Sequence, residues 1–545
     1  MDVSADSRGG RDGWAIGAAI ENAGVDLAVS MLRALLTSGE YPAALGLMTQ
    51  WGSRFDDDTE YLKVRRALLG KTGALSEALL VTNRLISQNQ ATTASTAGLE
   101  GRVKELMGVR PRILGPYDPI EPATPDRVLH LVKESRPYLS NGFTSRSHYN
   151  FMAELHAGLD PVVMTEPGFP RNVSNAPVQA RRTVDGVEHV HLDLGAVDLN
   201  GMPADRYLQL FADMAYARIK KIRPAVIHAS SGRRGFEGVL VALALKEKTG
   251  LPVVYEVRSF FETNWTSEIR YEATGEIFER RRERELECMQ AVDLVLTIGE
   301  SMRDELEGRG IPRAKIGLIP NGVDCERFTP QVRDTTLAAA LGIGSAPTFG
   351  YVSNMDHHRE SQETLVRAAA HLAAQGRPDH CVLVGDGPRR PELEKLASDL
   401  GVGDRVHFTG RVDHASIMRH YALIDTFVVP RIAERAATYV TPLKPFEAMA
   451  MGLPVVVSDL PGLTEIADPP RRGWSFPAGE AESLAHVLSS IADNPEERAR
   501  RASAGLEWVR QNRQWKHNGQ RYRDYFRTIT TRRSHVRRDD ERCAH

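Results

Sequence analysis

The sequence predicts two consecutive doubly wound α/β domains behind an all-α region. Three observations predict it. Between positions 14 and 107, apolar residues recur at three- and four-residue spacing, with no strand-like run among them. From Arg127 onward, short β-branched runs alternate with helical stretches, the pattern of a parallel sheet covered on both faces. That alternation pauses at "IGLIPNGVDCERF" (316–328) and restarts at "TFGYVSN" (348–354), so the chain builds two sheets in series.

Length and composition agree with this. A chain of 545 residues allows three or four domains. Hydrophobic residues at 42% and charged residues at 26% are ordinary for a soluble globular protein. A formal net charge of −2 supplies no field that would draw nucleic acid. The four cysteines, Cys288, Cys325, Cys381 and Cys543, are scattered without a CxxC pair. Neither a zinc site nor a disulfide framework is therefore expected, and the thiols read as reduced. The start, "MDVSADSRGGRDGW", is polar and lacks the apolar core of a signal peptide. No run of about 18 apolar residues exists to span a membrane, so a cytoplasmic location is expected.

In chain order, residues 1–13 read as a disordered start and 14–107 as helices. "SGEYPAALGLM" and "TGALSEALLVTNRLI" each place a glycine turn before an Ala/Leu-rich helix, which resembles a tetratricopeptide-like array; a plain helical bundle fits equally. "DDD" at 56–58 reads as a solvated acidic cap, not a metal site. Residues 108–126 are Pro-rich, without periodicity, and read as a linker. The first α/β domain is assigned to 127–325, with strands at "RVLHLV", "PVVMTE", "HVHLDL", "AVIHASS", "PVVYEVRSF" and "LVLTIG". The second occupies 326–512, with strands at "TFGYVSN", "CVLVGDG", "RVHFTG", "TFVVP" and "PVVVSD". A closing helix, 513–530, carries Trp515, Tyr522, Tyr525 and Phe526 and is expected to cross back to the first domain. The basic tail, 531–545, is either disordered or touches anionic lipid.

Open parallel sheets take ligands beyond the carboxyl ends of their strands, so the cleft between two such domains is the expected site. "PFEAMAMG" reads as a short helix, with Pro445 suited to its first turn and Gly452 to its exit. Glu447 falls in that first turn. Complementing the helix dipole would account for it, at about 0.3–1 kcal/mol. Lys444 and Arg431, which follow a strand end closely, point further: cations at a helix start would cradle a diphosphate, and the carboxylate would accept from ribose hydroxyls. In the first domain, "LSNGFTSRSHYN" offers Gly142 in a loop where backbone N–H groups approach a phosphate, or a plain turn. His228 ends the strand before the basic loop of Gly232, Arg233 and Arg234, which fits an anionic acceptor or a donor phosphate, or simply faces solvent. Glu256 and Arg258 stand at the next strand end and either face the cleft or pair with each other, since a buried charge requires a partner.

"LKPFEAMAMGLPVVVSD", with "IPNGVD" before it and "LVGDGPRRPELEKLASDLGVGDRVHFTG" between, resembles the family 4 retaining glycosyltransferases of GT-B fold. The resemblance runs from about Arg127 to Tyr525. The form "VTPLKPFEAMAMG", with "YEVRSFFE" and "RVLHLVKESRPYLSNGFTSR", is similar to members associated with bacterial exopolysaccharide and cell-surface glycan assembly. The resemblance implies two facing Rossmann-like domains. It also implies sugar transfer from a nucleotide-diphosphate donor to a hydroxyl of a glycan or lipid-linked acceptor. The anomeric configuration would be retained by front-face displacement, and neither metal nor cofactor is expected. It places Glu447 on the nucleotide ribose, Gly385 and Gly387 of "GDGP" beside the nucleotide, Arg411 of "FTGRVD" over the base, and Thr441 and Gly142 with the donor. His228, Arg258 and Glu256 would line the acceptor side. Where the family carries a first glutamate this chain has Tyr439; where it carries an arginine and a lysine for the diphosphate, this chain has Tyr351 and, nearby, Glu360. Arg431 and Lys444 are then the candidate catalytic cations, with His357, His358 and Arg359 as a second source. A protein partner on the N-terminal helices and peripheral contact with the inner membrane face complete the expectation. A degenerate GT-B protein acting as a binding or scaffold subunit, or a nucleotide-sugar 2-epimerase, are the alternatives.

Overall fold

The computed structural model describes residues 24–543, apart from 92, 176, 196, 198, 200, 267, 414 and 415. The expected disordered start, 1–13, lies outside the described residues, as do the side chains of the basic tail beyond Thr531. Two compact units emerge. One comprises residues 24–114 with Gly195–Met214 and Phe261–Glu287; the other comprises Gly115–Leu194, Ala215–Phe260 and residues 288–543.

The first unit is helical. Val25–Ser38, Tyr41–Trp51, Thr59–Lys71, Leu75–Ser87 and Thr93–Leu106 follow one another, and Ala28, Leu32, Tyr61, Leu68 and Leu85 lie in their shared core. Asp58 caps the third helix by accepting from Tyr61 N–H at 2.8 Å. Asp56 pairs with Arg65 (2.6 Å) and Asp57 with Arg84 (2.7 Å), so the acidic triplet is spent on a cap and on ion pairs. The stretch Phe261–Glu287 belongs here and not to the α/β fold around it. Tyr271 packs on Tyr41 with ring centroids 4.8 Å apart and donates to Gly39 O. Glu276 accepts from Ser76 N–H at 2.8 Å. Trp265 fills the space over Gly73, where a Cβ would come within 3.0 Å of the indole.

The second unit holds two parallel sheets. The first has eight strands in the order β3-β4-β2-β1-β5-β6-β7-β8, where β1 is Arg127–Val132, β2 Asp160–Thr165, β3 Arg181–Val184, β4 Val187–His191, β5 Val226–Ser230, β6 Val253–Val257, β7 Leu294–Thr297 and β8 Ile316–Leu318. All neighbours run parallel except the β3–β4 hairpin. The second sheet has six parallel strands ordered β11-β10-β9-β12-β13-β14, with β9 Thr348–Val352, β10 His380–Val384, β11 Val406–Phe408, β12 Thr426–Val429, β13 Val455–Ser458 and β14 Trp474–Phe476. Strands such as Val455–Ser458 and Thr426–Val429 are buried along their whole length, which is why they read as mostly apolar runs.

Each sheet changes direction once. β2 lies on one side of β1 and β5 on the other; β10 lies on one side of β9 and β12 on the other. Those are the switch points beyond which ligands sit in doubly wound sheets. The long helix Lys516–Cys543 returns to the first sheet. Its Tyr522 and Phe526 join the core formed by Val128, Val254 and Leu296, and Trp515 stacks on Tyr149 with centroids 5.5 Å apart. Gly519 makes this possible, since a Cβ there would overlap the Ala153 carbonyl of the helix Gly142–His156.

Candidate functional site

The second sheet's switch point presents the ends of β9 and β12. Tyr351, near the end of β9, is buried and donates its hydroxyl to Glu360 Oε2 at 2.5 Å. Arg431, two residues past β12, closes on the same carboxylate, Nη2 to Oε1 at 2.8 Å and Nε to Oε2 at 3.3 Å. Its Nη1 donates to Val440 O at 3.2 Å. Burial pushes the Glu360 carboxyl up, but Arg431, then Lys444 and the Tyr351 hydroxyl, pull it down to about 2. The two positions where the resemblance placed cations thus hold a tyrosine and a carboxylate, and the arginine from the next strand is bound to both sites' side chains as one buried cluster. The positive charge of Arg431 is answered within the fold.

Lys444 opens the helix Lys444–Ala450, half-buried and without an ion pair among the described residues. Its charge acts on Glu360 and on Glu447. Glu447, one turn on, accepts from the buried Tyr421 hydroxyl at 2.6 Å. Burial raises its carboxyl; Tyr421, Lys444 and Arg327 pull it back. Pro445 sits in the first turn, where a missing N–H costs nothing, and Gly452 leaves the helix at φ +76°. Across from this helix start, Gly142 opens the helix of the first domain behind its N-cap Asn141. A Cβ on Gly142 would lie 3.8 Å from Leu443 Cδ1, so the two helix starts face each other across the cleft.

The remaining donor-side residues divide. Gly385 (φ +137°) and Gly387 bring the β10 loop against the β9 loop: a Cβ on the first would overlap Ser353 O, and one on the second would lie 2.5 Å from Met355 O. Their freedom lets backbone approach backbone. Arg411 is exposed on the loop after β11. Thr441 is buried, and its carbonyl accepts from Asn321 Nδ2 at 2.7 Å. Tyr439, at the family's first-glutamate position, packs edge-on against Phe260 of the first domain at 5.7 Å, and its carbonyl accepts from Ser301 Oγ.

On the first sheet, His228, Glu256 and Arg258 are gathered, but inside the fold. Glu256, 0% exposed, receives Arg146 Nη2 at 2.5 Å on Oε1, and Arg258 Nη2 (3.1 Å) and the Tyr522 hydroxyl (2.9 Å) on Oε2. His228 Nε2 stands 3.1 Å from that same Oε2. His228 Nδ1 in turn meets His130 Nδ1 at 2.9 Å, and His130 Nε2 meets Glu154 at 2.8 Å. Burial opposes the Glu256 charge, but Arg258 and Arg146 outweigh it and hold the carboxyl well below its usual range. Burial also drives His228 down to about 4, so it is neutral at physiological pH. Arg146 Nη1 reaches Asn321 Oδ1 at 2.8 Å, and the same Asn321 holds Thr441, so one buried chain of hydrogen bonds links the first sheet to the loop before Lys444.

Sequence reasoning passed over Arg146, Asn321 and Tyr421, and placed Tyr522 on the closing helix without its partner Glu256. Asn321 was within reach as the polar centre of "IPNGVD". The other three act through partners between 26 and 266 positions away, which no local pattern reveals.

Comparison with known proteins matches each of these two halves. Residues 145–327 match the model described as Glycosyltransferase Family 4, and residues 346–494 match the one described as Glycosyl transferases group 1. A GDP-mannose-dependent alpha-(1-6)-phosphatidylinositol monomannoside mannosyltransferase of Mycobacterium tuberculosis is 29% identical over 238 residues, 43% of this chain and 62% of that protein. The alpha-D-kanosaminyltransferase of Streptomyces kanamyceticus is 26% identical over 292 residues, 52% of this chain and 72% of that protein. The chain thus spans about three fifths of the length of the first of these relatives. Sucrose-phosphate synthase from Thermosynechococcus elongatus superposes with a TM-score of 0.60 at 22% identity, covering 74% of this chain and 99% of its own. HepE from Anabaena, solved in complex with UDP and glucose, gives 0.55 at 17% identity, over 74% and 99%. With two facing Rossmann-like domains, each matched in order by its own model, the chain belongs to the GT-B glycosyltransferases of family 4 type.

Proposed function

We propose that the chain moves a sugar from a nucleotide-diphosphate donor to a hydroxyl of a glycan or lipid-linked acceptor, with retention at the anomeric carbon. The observation that carries the reading is the uncommitted ammonium of Lys444 beside the carboxylate of Glu447, with Gly142 facing their helix across the cleft. A departing diphosphate develops negative charge, and a fixed cation held out of bulk water stabilises it where it forms. Lys444 takes that role. Glu447, its orientation set by Tyr421, accepts from the ribose hydroxyls. Arg431 acts one step behind: by holding Glu360 and the Val440 carbonyl it fixes the segment that delivers Lys444, and is a positioning residue. The reading draws on no cofactor. Support for the donor class comes from the relatives, one GDP-mannose-dependent and one solved with UDP and glucose. No described helix is long and apolar enough to cross a membrane, so a lipid-linked acceptor would be met at the membrane surface.

Titration of UDP, GDP and ADP into the full chain by calorimetry tests this. One of them binds, and Lys444→Ala and Glu447→Ala each weaken it by about tenfold or more. If none binds, or if both variants bind like the wild type, the reading fails and the scaffold alternative takes its place.

A further inference from the structure

A pocket of about 500 Å³ opens beside the first sheet, away from the Lys444 helix's own loop. Arg136, Pro137 and Ser140 line it from the segment between β1 and the helix Gly142–His156; Arg182, Thr183 and Asp185 line it from the β3–β4 hairpin. The hairpin turns on Asp185 and Gly186, both left-handed at φ +48° and +86°.

Neither guanidinium in this pocket has a carboxylate among the described residues. Arg136 donates from Nη2 to Ser145 Oγ at 2.8 Å and lies over the Tyr149 ring at 5.4 Å, while its buried Nε has no partner. Arg182 lies over the Tyr138 ring at 5.7 Å. Neighbouring arginines are treated differently. Arg171 holds Asp193 at 2.6 Å, Arg233 holds Glu166 at 2.5 Å, and Arg234 holds Glu237 at 2.8 Å. Even Arg181, next in sequence, lies 3.4 Å from Glu188. The pocket's own acid, Asp185, is turned to His148 Nε2 at 3.1 Å. Behind the pocket, burial and then the fields of Arg136 and Arg182 respectively keep His148 and His191 below their ordinary range, the direction that nearby positive charge imposes. Two like charges facing one concavity, with the Ser140 and Thr183 hydroxyls beside them, are a fork for an oxyanion.

The position of the pocket says whose anion it is. Ser140 precedes Gly142 by two residues, and Gly142 faces Leu443 across the cleft. The pocket therefore lies on the first-domain side of that approach, next to the helix that Gly142 opens. We propose that this pocket binds a phosphate group carried by the acceptor, which makes the acceptor a phosphate-bearing hydroxyl compound. The word "acceptor" rests on the transferase reading; the binding of phosphate does not.

The experiment titrates inorganic phosphate, glycerol 3-phosphate and glycerol into the full chain, its Arg136→Gln and Arg182→Gln variants, and in parallel the nucleotide that the wild type binds. Both phosphates bind and glycerol does not; either substitution weakens phosphate by about tenfold or more, while melting temperature and nucleotide affinity stay unchanged. Absence of phosphate binding in the wild type, or equal binding in both variants, overturns the proposal. A wild type that binds phosphate but no nucleotide retains the pocket and removes the transferase reading instead. Flotation with phosphatidylcholine vesicles, with and without phosphatidylglycerol, separates the sources. Capture by phosphatidylglycerol that both substitutions abolish assigns a lipid headgroup; capture that ignores them, with soluble phosphate binding intact, assigns a soluble phosphomonoester.

Discussion

Replacing Arg431 with methionine removes one partner of a carboxylate that stays buried. Glu360 then keeps the Tyr351 hydroxyl in contact, Arg359 Nε at 3.8 Å and Lys444 at longer range. In the wild type, burial works to raise this carboxyl, and Arg431 leads the interactions that bring it from 4.5 to about 2. At about 1.4 kcal/mol per pH unit, that displacement corresponds to about 3 kcal/mol of stability at neutral pH. Breaking a buried pair from one side costs about 3–5 kcal/mol, the same order. A carboxyl depressed in the folded state stabilises above its unfolded value of about 4.5, and that contribution disappears as pH falls toward 2. In Arg431→Met the orphaned carboxyl titrates above its unfolded value, so acid relieves the variant. The gap between the two proteins is therefore widest near pH 7 and narrows below about pH 4.5. Thermal unfolding followed by the fluorescence of Trp474, Trp508 and Trp515 reads it. For a domain of this size, about 3 kcal/mol lowers the melting temperature by about 6–12 °C. Adding Glu360→Gln to the variant recovers most of the loss, because the two side chains act as one unit. A variant that melts with the wild type at neutral pH, or a gap that does not change with pH, refutes the internal pairing and returns Arg431 to the donor phosphate.

Three further outcomes follow from the same geometry. Tyr421→Phe removes the 2.6 Å donor to Glu447, so that carboxyl rises further and the acid-side loss of nucleotide affinity begins at higher pH; a pH series of nucleotide dissociation constants detects the displacement. Gly385→Ala forces a Cβ into Ser353 O at φ +137° and destabilises by about 2–4 kcal/mol, read by denaturant unfolding, with no loss expected from a glycine that only touched ligand. Glu256→Gln leaves Arg146 and Arg258 buried without their anion and costs about 3–5 kcal/mol near neutral pH. Because the wild-type carboxyl is held low, the difference shrinks as pH falls below about 4.5, and a melting series across pH measures it.

Much of the fold was legible because buried parallel strands advertise themselves. "VVVS" and "TFVV" are mostly apolar since both faces are covered, and the pause at 316–328 marked the crossing between sheets. The short strands Arg181–Val184 and Trp474–Phe476 escaped notice. The first is an exposed hairpin edge carrying two arginines, and the second has three residues, too few for a period. The helix Gly275–Ala291 falls within the 127–325 range because an amphipathic face does not name its partner; Glu276 and Ser76 are 200 positions apart. In the candidate site, the placement of Lys444 and Glu447 in the first turn of a short helix was legible from the sequence. The commitment of Arg431 to Glu360 was not, since 71 positions separate them and only the crossover from β9 to β12 brings them together.

The central claim is that Lys444 meets a leaving diphosphate. The most direct measurement is release of nucleoside diphosphate from a panel of nucleotide sugars, comparing the wild type with Lys444→Ala and following the anomeric proton by NMR. The account predicts that one donor is consumed, that the product keeps the donor's anomeric configuration, and that Lys444→Ala lowers kcat by about a hundredfold with a smaller change in KM. A donor consumed at the same rate by both proteins, or bound without ever being consumed, contradicts it.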